Sequence, residues 1–218
     1  MKRHTLPVSV AIGATAAILL SACSGNADGT KRNGKIAGED TSDTRALATP
    51  SASVSDKVKR PDSTLPKGVN DVFEGWHTGD PTEDAVLADA ARSQTAMNYA
   101  ILEGDSNTPG MTFYYKEKAL TSSMKWVQKW LDTGLTYTGT TRYFKPKINV
   151  FDSRSAGVSF CADESKAFNK DRKTGTVDRS PVGNDAYVLY NTRLERNEQG
   201  IWQTTDGTSV RGSKMCLQ

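Results

Sequence analysis

Phe73-Glu74-Gly75-Trp76-His77-Thr78-Gly79-Asp80-Pro81 leads into the run of elements whose order decides the fold. Asp80 suits a helix cap, Pro81 suits the first helical position, and Glu83 falls three residues after the cap, so a helix is predicted from here to about Leu102. Val86, Ala90, Met97 and Ile101, with Leu87, Ala91 and Tyr99 alongside, form a stripe of mostly small apolar residues, and Gly104 is a natural stop. After the Asn107-Thr108-Pro109-Gly110 turn, Met111 to Tyr115 reads as a short extended piece. Trp126, Val127, Trp130 and Leu131 recur at helical spacing and Gly134 ends that second helix, whose tryptophans are expected in the core.

From Leu135 onward the period falls to two. Ile148 and Val150, then Val158, Phe160 and Ala162, then Ala186, Val188 and Tyr190 with Tyr187 and Leu189 on the opposite face, all read as strands. Asn197-Glu198-Gln199-Gly200 reads as a hairpin loop before Ile201 and Trp202, and Val210 to Cys216 as a closing edge. Helices followed by strands give an α+β class, with N-terminal helices packed on a curved antiparallel sheet.

These motifs, together with Ala156-Gly157-Val158-Ser159-Phe160-Cys161 and Gly200-Ile201-Trp202-Gln203, resemble the nuclear-transport-factor-2-like cone fold. More closely, the chain is similar to tethered lipoproteins of high-GC Gram-positive bacteria that carry this domain. The resemblance covers about residues 71–218. It implies a sheet wrapped round the helices to leave a conical pocket, used in some relatives for ketosteroid isomerisation or polyketide cyclisation and in others only for binding or dimer formation through the sheet. Tyr99, Tyr137, Tyr187 and Tyr190 are the candidates to face that cavity. No catalytic motif aligns, and none is carried over.

The N-terminus gives the location. Lys2, Arg3 and His4 precede an apolar run from Val8 to Leu20, too short to span a bilayer and built like an export signal. Leu20-Ser21-Ala22-Cys23 closes it and resembles a lipobox, which implies removal of residues 1–22 and acylation of Cys23, anchoring the protein to the outer face of the cell membrane. Residues 23–70 contain no aromatic and only isolated apolar side chains, and read as a disordered tether before one domain at 71–218. Loss of Lys2 and Arg3 takes the formal charge from +3 to +1, which argues against nucleic acid as a partner. Cys161 and Cys216 are then an even pair in an exported chain, and a disulfide between them is expected, ahead of free thiols or a metal site.

Little catalytic equipment is legible. His77 is the sole histidine after processing, in loop chemistry that suits a surface or capping role, and no metal, cofactor, nucleophile elbow or phosphate loop is indicated. Asp163 and Glu164 are adjacent on a strand end, so they point to opposite faces and make a poor acid/base couple. Lys166, Lys170, Arg172, Lys173 and Arg179 around Phe168 read as a solvated hairpin tip, or as a contact for an envelope protein or anionic wall polymer. The first functional expectation is a non-catalytic domain binding a small apolar ligand or an envelope partner. A cavity enzyme of the isomerase or cyclase kind and a structural assembly factor are the alternatives.

Overall fold

The computed structural model describes residues 58–217; Cys23, the export segment and most of the expected tether lie outside the described residues. Strand β1 (Val69–Phe73) leads to helix α1 (Pro81–Glu103), the short α2 (Pro109–Tyr114) and α3 (Glu117–Asp132), and four long strands follow: β2 (Leu135–Val150), β3 (Ser155–Asp171), β4 (Tyr187–Arg196) and β5 (Trp202–Arg211). The sheet runs in the order β1-β2-β3-β4-β5. Its β2 to β5 neighbours are antiparallel, while β1 lies parallel to β2. This is the α+β arrangement of helices on one face of a curved sheet that the cone resemblance implies.

Helix α1 begins and ends where its caps dictate. Asp80 accepts hydrogen bonds from the Thr82 and Glu83 backbone N–H groups, and Gly104 closes the other end in a left-handed conformation at φ 80°. The sheet curves because β2 carries irregularities against β3 between Thr140 and Arg142 and between Phe144 and Lys147. Gly139 sits at φ 106°, where a Cβ would lie 2.1 Å from the Lys166 carbonyl oxygen, so no other residue permits that approach of β2 to β3.

Three expectations change. Met111–Tyr115 is not extended: Pro109 starts α2, whose spacing buries Met111 and Tyr114 together, and that burial outweighs the β preference of the aromatic run. The ordered domain begins earlier than residue 71. Val58 and Leu65 pack against the helical core, and Val69–Phe73 is an edge strand too short to show a period-two signal. Lys166 and Lys170 belong to β3 rather than to a hairpin tip, which is confined to the turn after Asp171.

The core forms two main clusters. One joins the helices around Ala96, Met111, Val127 and Ile201; the other packs Val86, Leu87, Phe160 and Trp202 against the inner sheet face. Phe73 stacks on Tyr143 at 4.7 Å and Trp76 meets Phe160 edge-on at 5.1 Å, so the aromatic residues before α1 close one end of the sheet. On the other face, the expected Cys161–Cys216 disulfide packs with Phe144, Tyr187 and Leu189, and ties β3 to the C-terminal turn across 55 residues.

Asp89, only 2% exposed, accepts hydrogen bonds from Arg60 Nη1 at 2.6 Å, Arg92 Nη1 at 2.9 Å and the Trp202 backbone N–H at 3.0 Å. Asp89→Ala strands Arg60 and a buried N–H, and is expected to cost about 3–5 kcal/mol. Urea unfolding measures this; a loss under about 1 kcal/mol would show that the ion pair is dispensable.

Candidate functional site: a cavity between helices and sheet

Helix α1 presents Gln94, Asn98 and Ile101 on one face, at i, i+4 and i+7, toward the inner side of β2 and β3. Strand β2 adds Tyr137, Thr141 and Tyr143, β3 adds Glu164 and Phe168, β4 adds Tyr190 and β5 adds Arg211. Trp126 and Trp130 of α3, and Ser180, Pro181 and Val182 of the loop before β4, complete the walls of a cavity of about 380 Å³. A second lobe of about 290 Å³ shares Gln94, Trp126, Tyr190 and Arg211 and is otherwise lined by neutral side chains, among them Ser122, Thr204 and Ser209.

The polar groups of the wall are organised from behind. Asn98 Nδ2 donates to Tyr143 Oη at 2.8 Å and to both oxygens of Asp71 at 3.0 Å, and Thr95 Oγ1 donates to Asp71 Oδ2 at 3.0 Å. Tyr143 Oη accepts from Asn98, so its own proton is left to donate. The Tyr137 hydroxyl and the Trp130 indole N–H, on residues of the lining, are buried with no hydrogen-bond partner among protein groups. Such groups carry a penalty of about 1–3 kcal/mol each until something pairs with them. Arg211 Nη1 donates to Glu164 Oε2 and to the Asp185 carbonyl, each at 2.7 Å.

Burial and charge hold the phenols protonated. Tyr137 is pushed up by burial first, then by Asp71 and Glu164; Tyr143 by burial, then Asp71; Tyr190 by burial, then Glu164, with Arg211 opposing. The Asp71 carboxyl is itself raised above 3.8, because burial outweighs its hydrogen bonds from Asn98 and Thr95. Neutral hydroxyls beside an apolar space can donate to a ligand oxygen or accept from a ligand N–H.

Of the four tyrosines expected at the cavity, Tyr137 and Tyr190 line it. Tyr99 does not: it is one helical step from Asn98, on another face of α1. Tyr187 does not either, because adjacent strand residues alternate and it packs with the disulfide on the outer face. Trp126 is 42% exposed and walls the cavity instead of filling the core, whereas the half-buried Trp130 packs against the helical core as expected and lines the cavity as well. Gln94, Asn98, Thr141, Tyr143 and Arg211 are the contributors that the sequence alone did not indicate. The signal for the first two lay in polar residues interrupting the apolar stripe of α1.

The basic stretch is dispersed. Arg172 donates to the Ile101 and Leu102 carbonyls at the end of α1 and, from Nε, to the Leu135 carbonyl at 3.0 Å, so it is a helix clamp and not a partner contact. Arg179 rests over the Phe168 ring at 4.9 Å, and Lys166 and Lys173 are exposed. Asp163 and Glu164 do take opposite faces, pairing with Arg142 at 3.2 Å and Arg211 at 2.7 Å. His77 is 81% exposed, with Nδ1 2.7 Å from an Asp84 carboxylate that also accepts the Thr78 N–H at the start of α1. Among the described residues, no three His, Cys, Asp or Glu side chains are grouped to ligate a metal.

No protein-family model and no curated protein matches the chain. Solved structures with a similar arrangement include the intermembrane space region of the chloroplast protein ARC6, at 14% identity over 57% of this chain and 92% of that one, with a TM-score of 0.37. A ketosteroid isomerase-like protein from Erwinia carotovora atroseptica is 15% identical over 59% of this chain and 95% of its own, with a TM-score of 0.42. A protein from Catenulispora acidiphila is 12% identical over 62% and 96%, with a TM-score of 0.36. The chemistry of the site therefore rests on this chain's own residues.

The Asp71 shift has a measurable sign. A carboxyl raised above 3.8 in the folded chain binds its proton more tightly there, so its contribution to stability is greatest at acid pH and is lost as pH rises through the folded value. Asp71→Asn keeps a hydrogen-bond acceptor but cannot ionise, and should gain stability relative to the parent between acid and neutral pH. Urea midpoints at the two conditions read this, and a difference that does not change with pH would contradict it.

Proposed function

We propose that this chain is a lipid-anchored, extracytoplasmic binding domain whose cavity between α1, α3 and the sheet holds a small amphipathic molecule. The observation that carries the reading is a cavity of about 380 Å³ in which Trp126, Trp130, Tyr137, Tyr143, Phe168 and Tyr190 share the wall with polar side chains such as Gln94, Asn98 and Thr141. An apolar body with one or two polar atoms suits both features. A core plugged by aromatics, as a purely structural assembly factor would have, fits this space poorly. The anchor is supported by the Leu20-Ser21-Ala22-Cys23 motif and the apolar run before it.

A second reading, a cavity enzyme acting next to a carbonyl, draws on one feature. Tyr143, positioned by Asn98, has a proton to give to a developing oxyanion, and Glu164 is a carboxylate in the same lining. Against it, Glu164 is held by Arg211, and the other two carboxylates of the lining, Asp178 and Asp185, are exposed residues of the segment before β4.

One probe separates the two. α-Tetralone, an apolar ketone small enough for the cavity, is expected to bind in calorimetry, and Ala167→Trp, which fills the lining beside Phe168, is expected to abolish binding with the fold intact. Its α-hydrogens should exchange with deuterium oxide no faster than in buffer. Exchange that disappears in Tyr143→Phe and Glu164→Gln would move the assignment to the enzyme, and equal binding by Ala167→Trp would remove the cavity from the function.

The anchor is tested separately. Cys23→Ala should shift the protein from the detergent phase to soluble or uncleaved forms, since two acyl chains dominate membrane affinity. Unchanged acyl labelling of that variant would end the lipoprotein reading.

A further inference from the structure

The walls of the cavity also carry a charge balance. Resting on the reading of the cavity as a ligand site, we propose that its larger lobe takes an organic ammonium: a cationic nitrogen carried on an aromatic or alicyclic body, with that neutral body reaching toward the second lobe.

Three carboxylates, Glu164, Asp178 and Asp185, lie in the lining against one guanidinium, Arg211. Arg211 is already engaged, pairing with Glu164 and donating to the Asp185 carbonyl. Behind the wall, Asp71 is held by Asn98 and Thr95 alone and forms no ion pair among the described residues, and its nearest relay to the cavity is the Asn98 contact with Tyr143. A further cation, Arg179, sits on the Phe168 ring at the rim and leaves the balance negative. The second lobe holds no carboxylate, and its polar groups are mostly hydroxyls. A cation is thus favoured in one lobe and an uncharged group in the other.

The aromatic content points the same way. Trp126 and Trp130 stand 5.9 Å apart between ring centroids, tilted by 39°, and form a corner whose other walls include Tyr137, Phe168 and Tyr190. Ring faces attract cations, tryptophan most strongly, and the attraction grows when water is excluded. Arg179 over Phe168 shows a ring of this lining already holding one of the chain's own cations. The field that would hold a ligand cation also acts on the phenols: burial is the main cause that pushes Tyr137 upward, and Asp71 and Glu164 add to it. An anionic ligand would meet the same field as repulsion.

The test uses the full chain and three probes of matched size: benzyltrimethylammonium, its uncharged carbon isostere neopentylbenzene, and benzenesulfonate. In calorimetry the ammonium is expected to bind at least about tenfold more tightly than the isostere, and the sulfonate most weakly. Asp71→Asn and Asp185→Asn should each weaken the ammonium severalfold more than they weaken the isostere, whose retained binding is the control for an intact cavity. Equal affinity for ammonium and isostere, tighter sulfonate, or insensitivity to both substitutions would overturn the charge assignment while leaving the cavity as a site for neutral ligands. Failure of all three probes to bind would remove the ligand-binding reading as well.

Discussion

The rest of the structure depends on one buried carboxylate. Asp89, in the middle of α1, is bonded by Arg60 from the segment before β1, by Arg92 from its own helix and by the backbone N–H of Trp202 at the start of β5. Desolvating a carboxylate is expensive, and the arrangement is favourable only because its charge is met by guanidinium groups and its second oxygen by a backbone donor. The three partners come from parts of the chain that share no local hydrogen-bond ladder. Their meeting point therefore fixes where the N-terminal segment crosses the helix and where the last strand begins. With Trp202 seated, β5 lies beneath α1 and α3, and the Lys116 N–H can donate to the Thr204 carbonyl to start α3.

That choice has a consequence for packing. Asp89, Ser93, Gln94 and Asn98 are all buried on α1, where an ordinary core helix would bury apolar side chains. The helix cannot close fully on the sheet, and the space left beside Gln94 and Asn98 is the cavity. Apolar burial forgone there is offset elsewhere: the Cys161–Cys216 bridge closes 55 residues, a span associated with about 4 kcal/mol in the chain-entropy account.

What could be read from the sequence was local or pairwise. Asp80 and Gly104 bound α1 because caps act within one turn, the alternation of Val158, Phe160 and Ala162 fixes a face because strand geometry has period two, and once Cys23 is set aside as the expected acylation site the two remaining cysteines leave one pairing. What escaped depends on distant partners. Nothing near Arg60 announces Asp89, and nothing near Arg172 announces the end of α1. The parallel pairing of Val69–Phe73 with β2 and the helical turn at Met111–Tyr114 exist because of what they pack against. The site suffered most: Tyr137 and Tyr190 were legible as strand residues, but Asn98 and Tyr143 matter through a hydrogen bond across 45 positions.

Helix α1 joins these levels. Asp80 caps its N-terminus, Asp89 holds its middle, and Arg172 binds its last carbonyls, a role no basic residue of its own last turn fills. Gln94, Asn98 and Ile101 thus project from a bar fixed at three points, which is how a wall keeps its hydrogen-bonding groups in place without a ligand present. The facing wall is different in kind. Between Val177 and Asn184 the chain has no regular secondary structure, and Pro181 and Val182 are exposed while still lining the cavity. A rigid helix opposite a loop divides the labour. If the cavity holds a ligand as proposed, the helix and the sheet tyrosines would set which polar atoms it must present, and the loop, with few bonds to break, would set how readily it reaches them.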